Sequence, residues 1–246
     1  MDDTAIRLEG VTKSFGGRKV LDDVTLDVRR KSGFCLLGRS GTGKSVTLKH
    51  IIGLMHPDRG RVLVEGRDVT VLGRRELAEV RRRMGFLFQN AALFDSITVG
   101  ENVAFPMRRH TDSNDKTIRE SARAKLADVG LENEYDKMPA DLSGGMKKRA
   151  ALARAMALDP DILLVDEPSA GLDPITSDEI DDLLVDLKKR GTTIVMVTHD
   201  IPSARHVADD LAFLHEGKVI ARGTAEELEH SEHDLVRAFM RSEGAG

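Results

Sequence analysis

Of the chain's 246 residues only one is a cysteine, so no intramolecular disulfide can form, and a reducing compartment fits that usage. Cys35 lies in the apolar stretch Phe34-Cys35-Leu36-Leu37 and is expected to be a buried free thiol in a strand. No stretch approaches about 18 consecutive apolar residues, so no helix is expected to span a bilayer, and any membrane role must come through a partner. The acidic start, Met1-Asp2-Asp3-Thr4, lacks the apolar run of a signal peptide. Positive charge is not in excess either: the formal net charge of −4 argues against a dedicated nucleic-acid binder. Internal repeats, low-complexity tracts and long linkers are absent. His206, His215, His230 and His233 have neither metal-ligand spacing nor partner cysteines, and read as surface histidines. What remains is an ordinary globular balance, 40% hydrophobic and 32% charged, in a chain long enough for one large domain or two small lobes.

The chain opens on strands. Ala5-Ile6-Arg7-Leu8 and Val24-Thr25-Leu26-Asp27-Val28 alternate apolar and polar residues around a Gly16-Gly17 turn. A buried strand, Gly33 to Leu37, then runs into a glycine-rich turn and a helix beginning near Lys44. Arg81-Arg82-Arg83 reads as a solvated helix end before a strand at Gly85-Phe86-Leu87-Phe88. From about Asn90 to Ala157 the pattern is largely helical, with breaks expected at Pro106 and across Thr111 to Lys116. Ile162-Leu163-Leu164-Val165 and Thr193-Ile194-Val195-Met196-Val197 are continuous aliphatic runs, as parallel strands covered on both faces require. Between them Asp178, Glu179, Asp181 and Asp182 crowd the start of a helix and Lys188, Lys189 and Arg190 its end, matching the macrodipole. Ile180, Leu183, Leu184 and Leu187 form its apolar stripe, and Gly191 stops it. Strand, crossover helix and strand make a βαβ unit, hence an α/β core. Leu211-Ala212-Phe213-Leu214 and Val219-Ile220-Ala221 flank Glu216-Gly217 as a hairpin. One final amphipathic helix carries Leu228, Leu235, Phe239 and Met240.

Two motifs carry chemistry. Gly38-Arg39-Ser40-Gly41-Thr42-Gly43-Lys44-Ser45 matches the P-loop pattern, with a buried strand before it and a helix after it. Its glycines let backbone N–H groups curl inward toward phosphate oxygens, and the helix N-terminus adds partial positive charge. Lys44 would bridge the β- and γ-phosphates of ATP, and the Ser45 hydroxyl would ligate Mg²⁺. Ile162 to Pro168 presents two carboxylates at the C-terminal end of a buried strand, where α/β sheets bind ligands. Asp166 is placed to hold the metal shell. Glu167, facing the other way, is placed to act as general base on the attacking water. An Asp-Glu pair after a strand is by itself more often a helix N-terminal feature; the upstream P-loop decides for the catalytic reading. Leu142-Ser143-Gly144-Gly145-Met146 opens another helix on a second backbone nest, which makes sense if it serves a neighbour's nucleotide. Gln89 is read as ending the strand that enters the helical segment, and Thr198-His199-Asp200 places an imidazole on the catalytic edge.

At this point the chain resembles the ABC ATPase family over essentially its whole length. Gly38 to Ser45 is similar to the Walker A loop, Gln89 to the Q-loop, and Leu142 to Met146 to the signature motif. Ile162 to Glu167 is similar to Walker B, Ser169-Ala170-Gly171-Leu172-Asp173 to the D-loop, and His199 to the switch histidine. Phe15 sits where the family stacks an aromatic on adenine. All occur in family order. The resemblance implies a P-loop NTPase fold with a RecA-like core, an N-terminal antiparallel β subdomain and an inserted helical subdomain. Residues 1–89 and 158–246 would form the core and 90–157 the insertion. It implies ATP and Mg²⁺ as ligands, with Ser45, Gln89 and Asp166 at the metal and Lys44, Gln89, Glu167 and His199 in catalysis. It also implies a head-to-tail homodimer in which each nucleotide lies between the P-loop of one copy and Ser143, Gly144 and Gly145 of the other. Met146 stands where the family usually has Gln, which leaves the Ser143 hydroxyl and the glycine N–H groups in place.

One cassette without a heptad array favours transport over the repair and translation branches. The segment Ala92 to Val99, then Glu101-Asn102-Val103-Ala104-Phe105-Pro106 and Arg108-Arg109-His110-Thr111, resembles the ATPase of Mla/Mce-type phospholipid transporters; so does Asp173-Pro174-Ile175-Thr176. Amino-acid importer ATPases share much of this region, so a small-solute importer stands as the alternative, and a non-transport ABC protein as a more distant one. The Mla/Mce resemblance implies transmembrane permease subunits, an MCE substrate-binding protein, a small regulatory subunit, and a peripheral place on the cytoplasmic face of the bacterial inner membrane. Leu93, Phe94 and Ile97, with Asp95 and Glu101, would suit a groove for a permease helix; core packing is the competing use of Leu93, Phe94 and Val99.

Overall fold

In a computed structural model, which describes residues 3–242, the opening alternation becomes two long antiparallel strands, β1 (Thr4–Phe15) and β2 (Arg18–Arg29), joined at Gly16-Gly17. Met1-Asp2 of the acidic start lies outside the described residues. β3 (Gly33–Leu37) and α1 (Lys44–Ile51) follow where expected. Two strands then go beyond the expectations above, β4 (Arg59–Val64) and β5 (Arg67–Asp68), and α2 (Arg74–Arg82) is the helix whose end is expected at Arg81-Arg82-Arg83. The first two complete a four-stranded antiparallel sheet in the order β2-β1-β4-β5. α2 is held by a glutamate at its start, Glu76 accepting from the Gly73 N–H, and buries only Leu77 and Val80.

The helical region begins after β6 (Met84–Leu87) and comprises α3 (Val99–His110), α4 (Asp115–Ala127) and α5 (Gly144–Ala155). Pro106 does not break α3, contrary to expectation. The helix passes through it because Val103, Ala104 and Met107 are buried in the core and Thr98 and Glu101 close a capping box at its start. Thr111 to Asn114 does interrupt the helices, and Asn114 caps α4 by accepting from the Thr117 N–H. β7 (Ile162–Asp166), α6 (Pro174–Lys189) and β8 (Thr193–Thr198) form the expected βαβ unit. α7 (Ile201–Val207) leads to the hairpin β9 (Asp210–His215) and β10 (Lys218–Gly223). The last amphipathic segment is two helices, α8 (Ala225–Glu229) and α9 (Asp234–Arg241), not one. Residues 230–233 turn the chain so that Leu228, Val236 and Met240 all reach one core.

The second sheet runs β10-β9-β3-β8-β7-β6, parallel except at the β9–β10 edge. Its strands are buried on both faces, and their period-two alternation feeds two cores. Cys35, Leu37, Leu163, Val165, Ile194 and Met196 point into one core, shared with α3 to α7 and the C-terminal helices. Phe34, Leu36, Leu164, Val195 and Val197 point into the other, against α1 and the antiparallel sheet. Cys35 is fully buried, and burial raises its thiol pKa. β6 presses so close to α5 that a Cβ on Gly85 would lie 2.5 Å from the Ala155 carbonyl oxygen. Arg81 is not a solvated end. It donates to the Ile52 and Gly53 carbonyls at 2.9 and 2.8 Å and ties α2 to the turn after α1.

Candidate functional site

Strand register alone brings the chemistry-bearing residues to one edge. Leu37 pairs with Thr198, Val165 with Met196 and Leu87 with Val165. Asp166, the last residue of β7, and the residues just beyond these strands, Gly38, Glu167, His199 and Gln89, therefore lie on the same C-terminal side of the sheet.

The P-loop turn spans Gly38 to Gly43, and α1 starts at Lys44. Gly43 adopts φ 107°, and a Cβ there would meet the Val20 carbonyl oxygen at 2.8 Å, so the turn into α1 needs glycine. Thr42 braces the turn by donating to the Arg39 carbonyl at 2.8 Å. Arg39, Ser40 and Gly41 remain exposed. Lys44 is buried and folds back: its Nζ donates to the carbonyls of Gly38 (2.8 Å) and Arg39 (3.2 Å) and pairs with Glu167 Oε1 at 3.2 Å. Beside it, Ser45 Oγ donates to Asp166 Oδ1 at 2.7 Å. Burial raises the Asp166 pKa, and the Ser45 bond partly opposes that rise.

The two carboxylates diverge as strand alternation requires. Asp166 turns to Ser45, and Glu167 turns to Lys44 and His199. Glu167 is buried and holds a left-handed φ of 48°, unusual for a residue with a side chain. Its N–H donates to Val197 O at 2.9 Å. Its Oε2 accepts from the Thr198 hydroxyl at 3.0 Å and the His199 N–H at 3.3 Å, and lies 2.9 Å from His199 Nδ1. That last contact requires the tautomer or cation with a proton on Nδ1. Both oxygens of Glu167 are thus engaged, one by the P-loop lysine and the other by the end of β8.

Other expected site residues lie apart from this cluster. Phe15 ends β1 with its ring exposed and Lys13 Nζ 5.7 Å from the ring centroid. Gln89 does not end a strand: β6 stops at Leu87, and Gln89 is exposed in the following turn, without a hydrogen-bond partner among the described residues. Ser143 is the N-cap of α5, its Oγ accepting from the Met146 N–H at 3.3 Å. Ser143 and Gly144 are exposed, and among the described residues no hydrogen bond or ion pair joins Ser143, Gly144 or Gly145 to the P-loop of the same chain. Glu101 is not free to meet a partner as a register charge, because its carboxylate closes the capping box on the Thr98 N–H at 2.9 Å. Leu93 packs on the core, whereas Phe94 stays exposed. Among the described residues no group of three His, Cys, Asp or Glu side chains is arranged to hold a metal, and His206 and His215 pair with acidic neighbours instead.

Three further residues shape the site without any motif to mark them. Asn102, buried in α3, accepts from the Phe94 N–H (2.8 Å) and donates to the carbonyls of Phe94 and Thr98, both at 3.0 Å. Arg154 reaches from α5 to the carbonyls of Ala91 (2.9 Å) and Ala92 (2.7 Å), two residues at left-handed φ. Together they hold the loop that follows Gln89. Lys148, also on α5, is buried against the carbonyls after Glu167. Lys148 and Arg154 reach backbone carbonyls far off in sequence, and Asn102 reaches backbone groups four to eight residues back, so no motif announces them.

A parallel sheet with a P-loop and paired acids at its C-terminal edge defines a P-loop nucleotide-hydrolysing fold. The ABC transporter family profile matches residues 21–170. The intermembrane phospholipid transport system ATP-binding protein MlaF of Haemophilus influenzae is 41% identical over 247 residues, covering 100% of this chain and 94% of that protein. The ribonucleotide transport ATP-binding protein mkl of Mycobacterium leprae is 43% identical over 243 residues, covering 98% of this chain and 70% of that protein. Among solved structures, a dimeric ATP-binding cassette in a post-hydrolysis state with ADP and Pi superposes with a TM-score of 0.83 at 33% identity, covering 89% of this chain and 98% of that one. The chain belongs to the ABC transporter family: it is an ATPase subunit, it binds ATP, and its fold is that of the ABC cassettes.

Proposed function

We propose that two copies of this chain hydrolyse ATP at composite head-to-tail sites and so drive a permease that moves phospholipid. The carrying observation is the Glu167 carboxylate, pinned through Oε2 by Thr198 and His199 while Oε1 contacts Lys44. Phosphate draws Lys44 off Glu167 and off its own loop carbonyls. Oε1 is then free to accept the proton of an attacking water, while Oε2 stays fixed, so Glu167 is the general base. His199 orients it. Lys44 offsets the charge on the phosphates, and the loop N–H groups cradle them. Ser45 Oγ and Asp166 Oδ1 supply adjacent hard oxygen donors, which fits Mg²⁺, and these two would hold it with Gln89 at the edge of its shell. Bound there, the ion would neutralise phosphate charge. Phe15, exposed at the end of β1, suits stacking on adenine.

The second half of each site comes from the partner copy. Ser143 and Gly144 are exposed at the N-terminus of α5, which favours anions, and the dimeric state of the solved cassette supports the arrangement. The permease surface is a groove of about 530 Å³ in which the exposed Phe94 and Phe105, with ring centroids 5.0 Å apart, stand beside Phe86, Phe88 and Pro106. A short permease helix with apolar anchors fits it. No helix among the described residues is long and apolar enough to cross a membrane, so the subunit would sit peripherally on the cytoplasmic face of the inner membrane through that permease. An MCE protein and a small regulatory subunit would complete the assembly.

Phospholipid is favoured as cargo by the MlaF relative, which matches over nearly the whole of both chains. The mkl relative, named for ribonucleotide transport, supports the second reading, a small-solute importer. Reconstitution of the assembled complex in liposomes separates them. Labelled phospholipid should move with ATP and stop moving with Glu167→Gln. ATP-coupled uptake of a ribonucleotide or amino acid without lipid movement would refute the lipid reading.

A further inference from the structure

Among the described residues, a lysine buried on the signature helix has no partner of opposite charge. Lys148, in the second turn of α5, is 5% exposed, and its Nζ donates to Glu167 O at 2.9 Å and Pro168 O at 2.7 Å. Among the described residues no carboxylate lies within ion-pair distance of it; its hydrogen bonds are to carbonyls alone. Burial lowers its pKa to about 8, which measures how poorly this place suits a cation. Packing does not call for one either, since an apolar side chain of the same length would fill the volume without the desolvation cost.

What the ammonium does is geometric. Glu167 adopts its left-handed φ, and the next two carbonyls both turn toward α5, where Lys148 receives them. Those carbonyls fix the peptide planes immediately after the Glu167 side chain. The N–H of Glu167 is held from the other side by Val197 O. Gripped from both directions, the residue has one backbone conformation, and its carboxylate has one approach to the P-loop edge. The same helix carries Ser143 at its N-cap, five residues before Lys148. A rigid element thus joins the group offered to a neighbouring copy to the backbone of the group that works at home.

We infer that Lys148 is a positioning residue, which sets the Glu167 carboxylate. The inference rests on the reading of Glu167 as general base.

The test measures steady-state ATPase of the full chain with Lys148→Met, Lys148→Gln, Lys148→Arg and, in parallel, Glu167→Gln. Lys148→Met should keep the KM for ATP within about threefold and lower kcat by about tenfold to a hundredfold, the scale of a misplaced reacting group. Lys148→Gln, which keeps a donor but not the reach, should fall between. Lys148→Arg, which restores cation and length, should recover most of the loss. A purely packing role would lower thermal stability while leaving kcat intact, and the arginine variant would then rescue nothing. If the Met variant is insoluble, the Gln variant decides alone: kcat within twofold of wild type overturns the inference. A Glu167→Gln protein that turns over normally removes the base assignment and this inference with it. An inactive Glu167→Gln beside Lys148 variants of normal kcat removes this inference only.

Discussion

Replacing Asp181 with asparagine should stabilise the protein, and more so as pH rises. Asp181 lies on α6, 2% exposed, where its Oδ1 accepts from the Ser203 hydroxyl at 2.7 Å. Burial raises its pKa from 3.8 to about 6, against the opposing pull of the Ser203 bond. The folded protein therefore holds this proton more tightly than the unfolded chain does. Stability from this group is greatest below pH 3.8 and is lost as pH rises through about 6. The full cost is about 3 kcal/mol, roughly half of it in place at pH 5 and all of it at pH 8. Asparagine keeps the acceptor for Ser203 and never ionises, but brings an amide N–H₂ group that, left unpaired, costs about 1–2 kcal/mol. The net expectation is a gain of about 1–2 kcal/mol at pH 8 and about none at pH 5. For a chain of this size that is roughly 2–8 °C in Tm at the higher pH. Thermal melts of wild type and Asp181→Asn at both pH values read the difference directly, because every other titrating group is common to the two proteins. An equal shift at pH 5 and pH 8, or a loss at pH 8, would refute the assignment of this carboxyl as a buried acid whose pKa the fold raises.

Lys44→Ala removes the cation from the phosphate cradle and leaves the Oε1 of buried Glu167 without its ion-pair partner. ATP affinity and turnover should each fall at least about a hundredfold while the circular dichroism spectrum is kept; near-normal nucleotide binding would remove the P-loop assignment. Ser143→Arg should leave nucleotide binding by the single chain intact and block turnover. Mixed with Lys44→Ala, it should regain part of the activity, because one composite site of such a heterodimer carries both lesions and the other carries neither. Full activity in a strictly monomeric protein would sink the head-to-tail arrangement.

How much of this was legible beforehand depends on whether the determinant was local. β3 is legible to the residue because Gly33 to Leu37 is a continuous apolar run that ends in a glycine turn, as a strand buried on both faces requires. The P-loop followed for the same reason. β4 is not legible, because it opens on exposed Arg59-Gly60-Arg61 and shows no strong period; of α2 only the end at Arg81-Arg82-Arg83 is marked, because it buries just two side chains. Pro106 misled because the carbonyl it leaves without an intrahelical donor is tolerated in a helix whose other face is locked into the core. At the site, Lys44, Ser45, Asp166, Glu167 and His199 met because strand register fixes where each strand stops, and register was implicit in the apolar runs. Asn102, Lys148 and Arg154 could not be seen. Each acts on backbone carbonyls, which every residue possesses, so sequence holds no trace of which one is chosen.

Cys35 has a practical consequence. It is the chain's one thiol, it points from the central strand β3 into the core shared with the helices, and its pKa is raised by that burial, so thiolate, the reactive form, is scarce at any working pH. The native protein is therefore close to silent toward maleimides, iodoacetamide and mild oxidants. Fluorophores, spin labels or cross-linkers attached to a cysteine introduced at the surface will report from that position alone. The wild-type sequence can then serve as its own background for distance measurements between introduced labels.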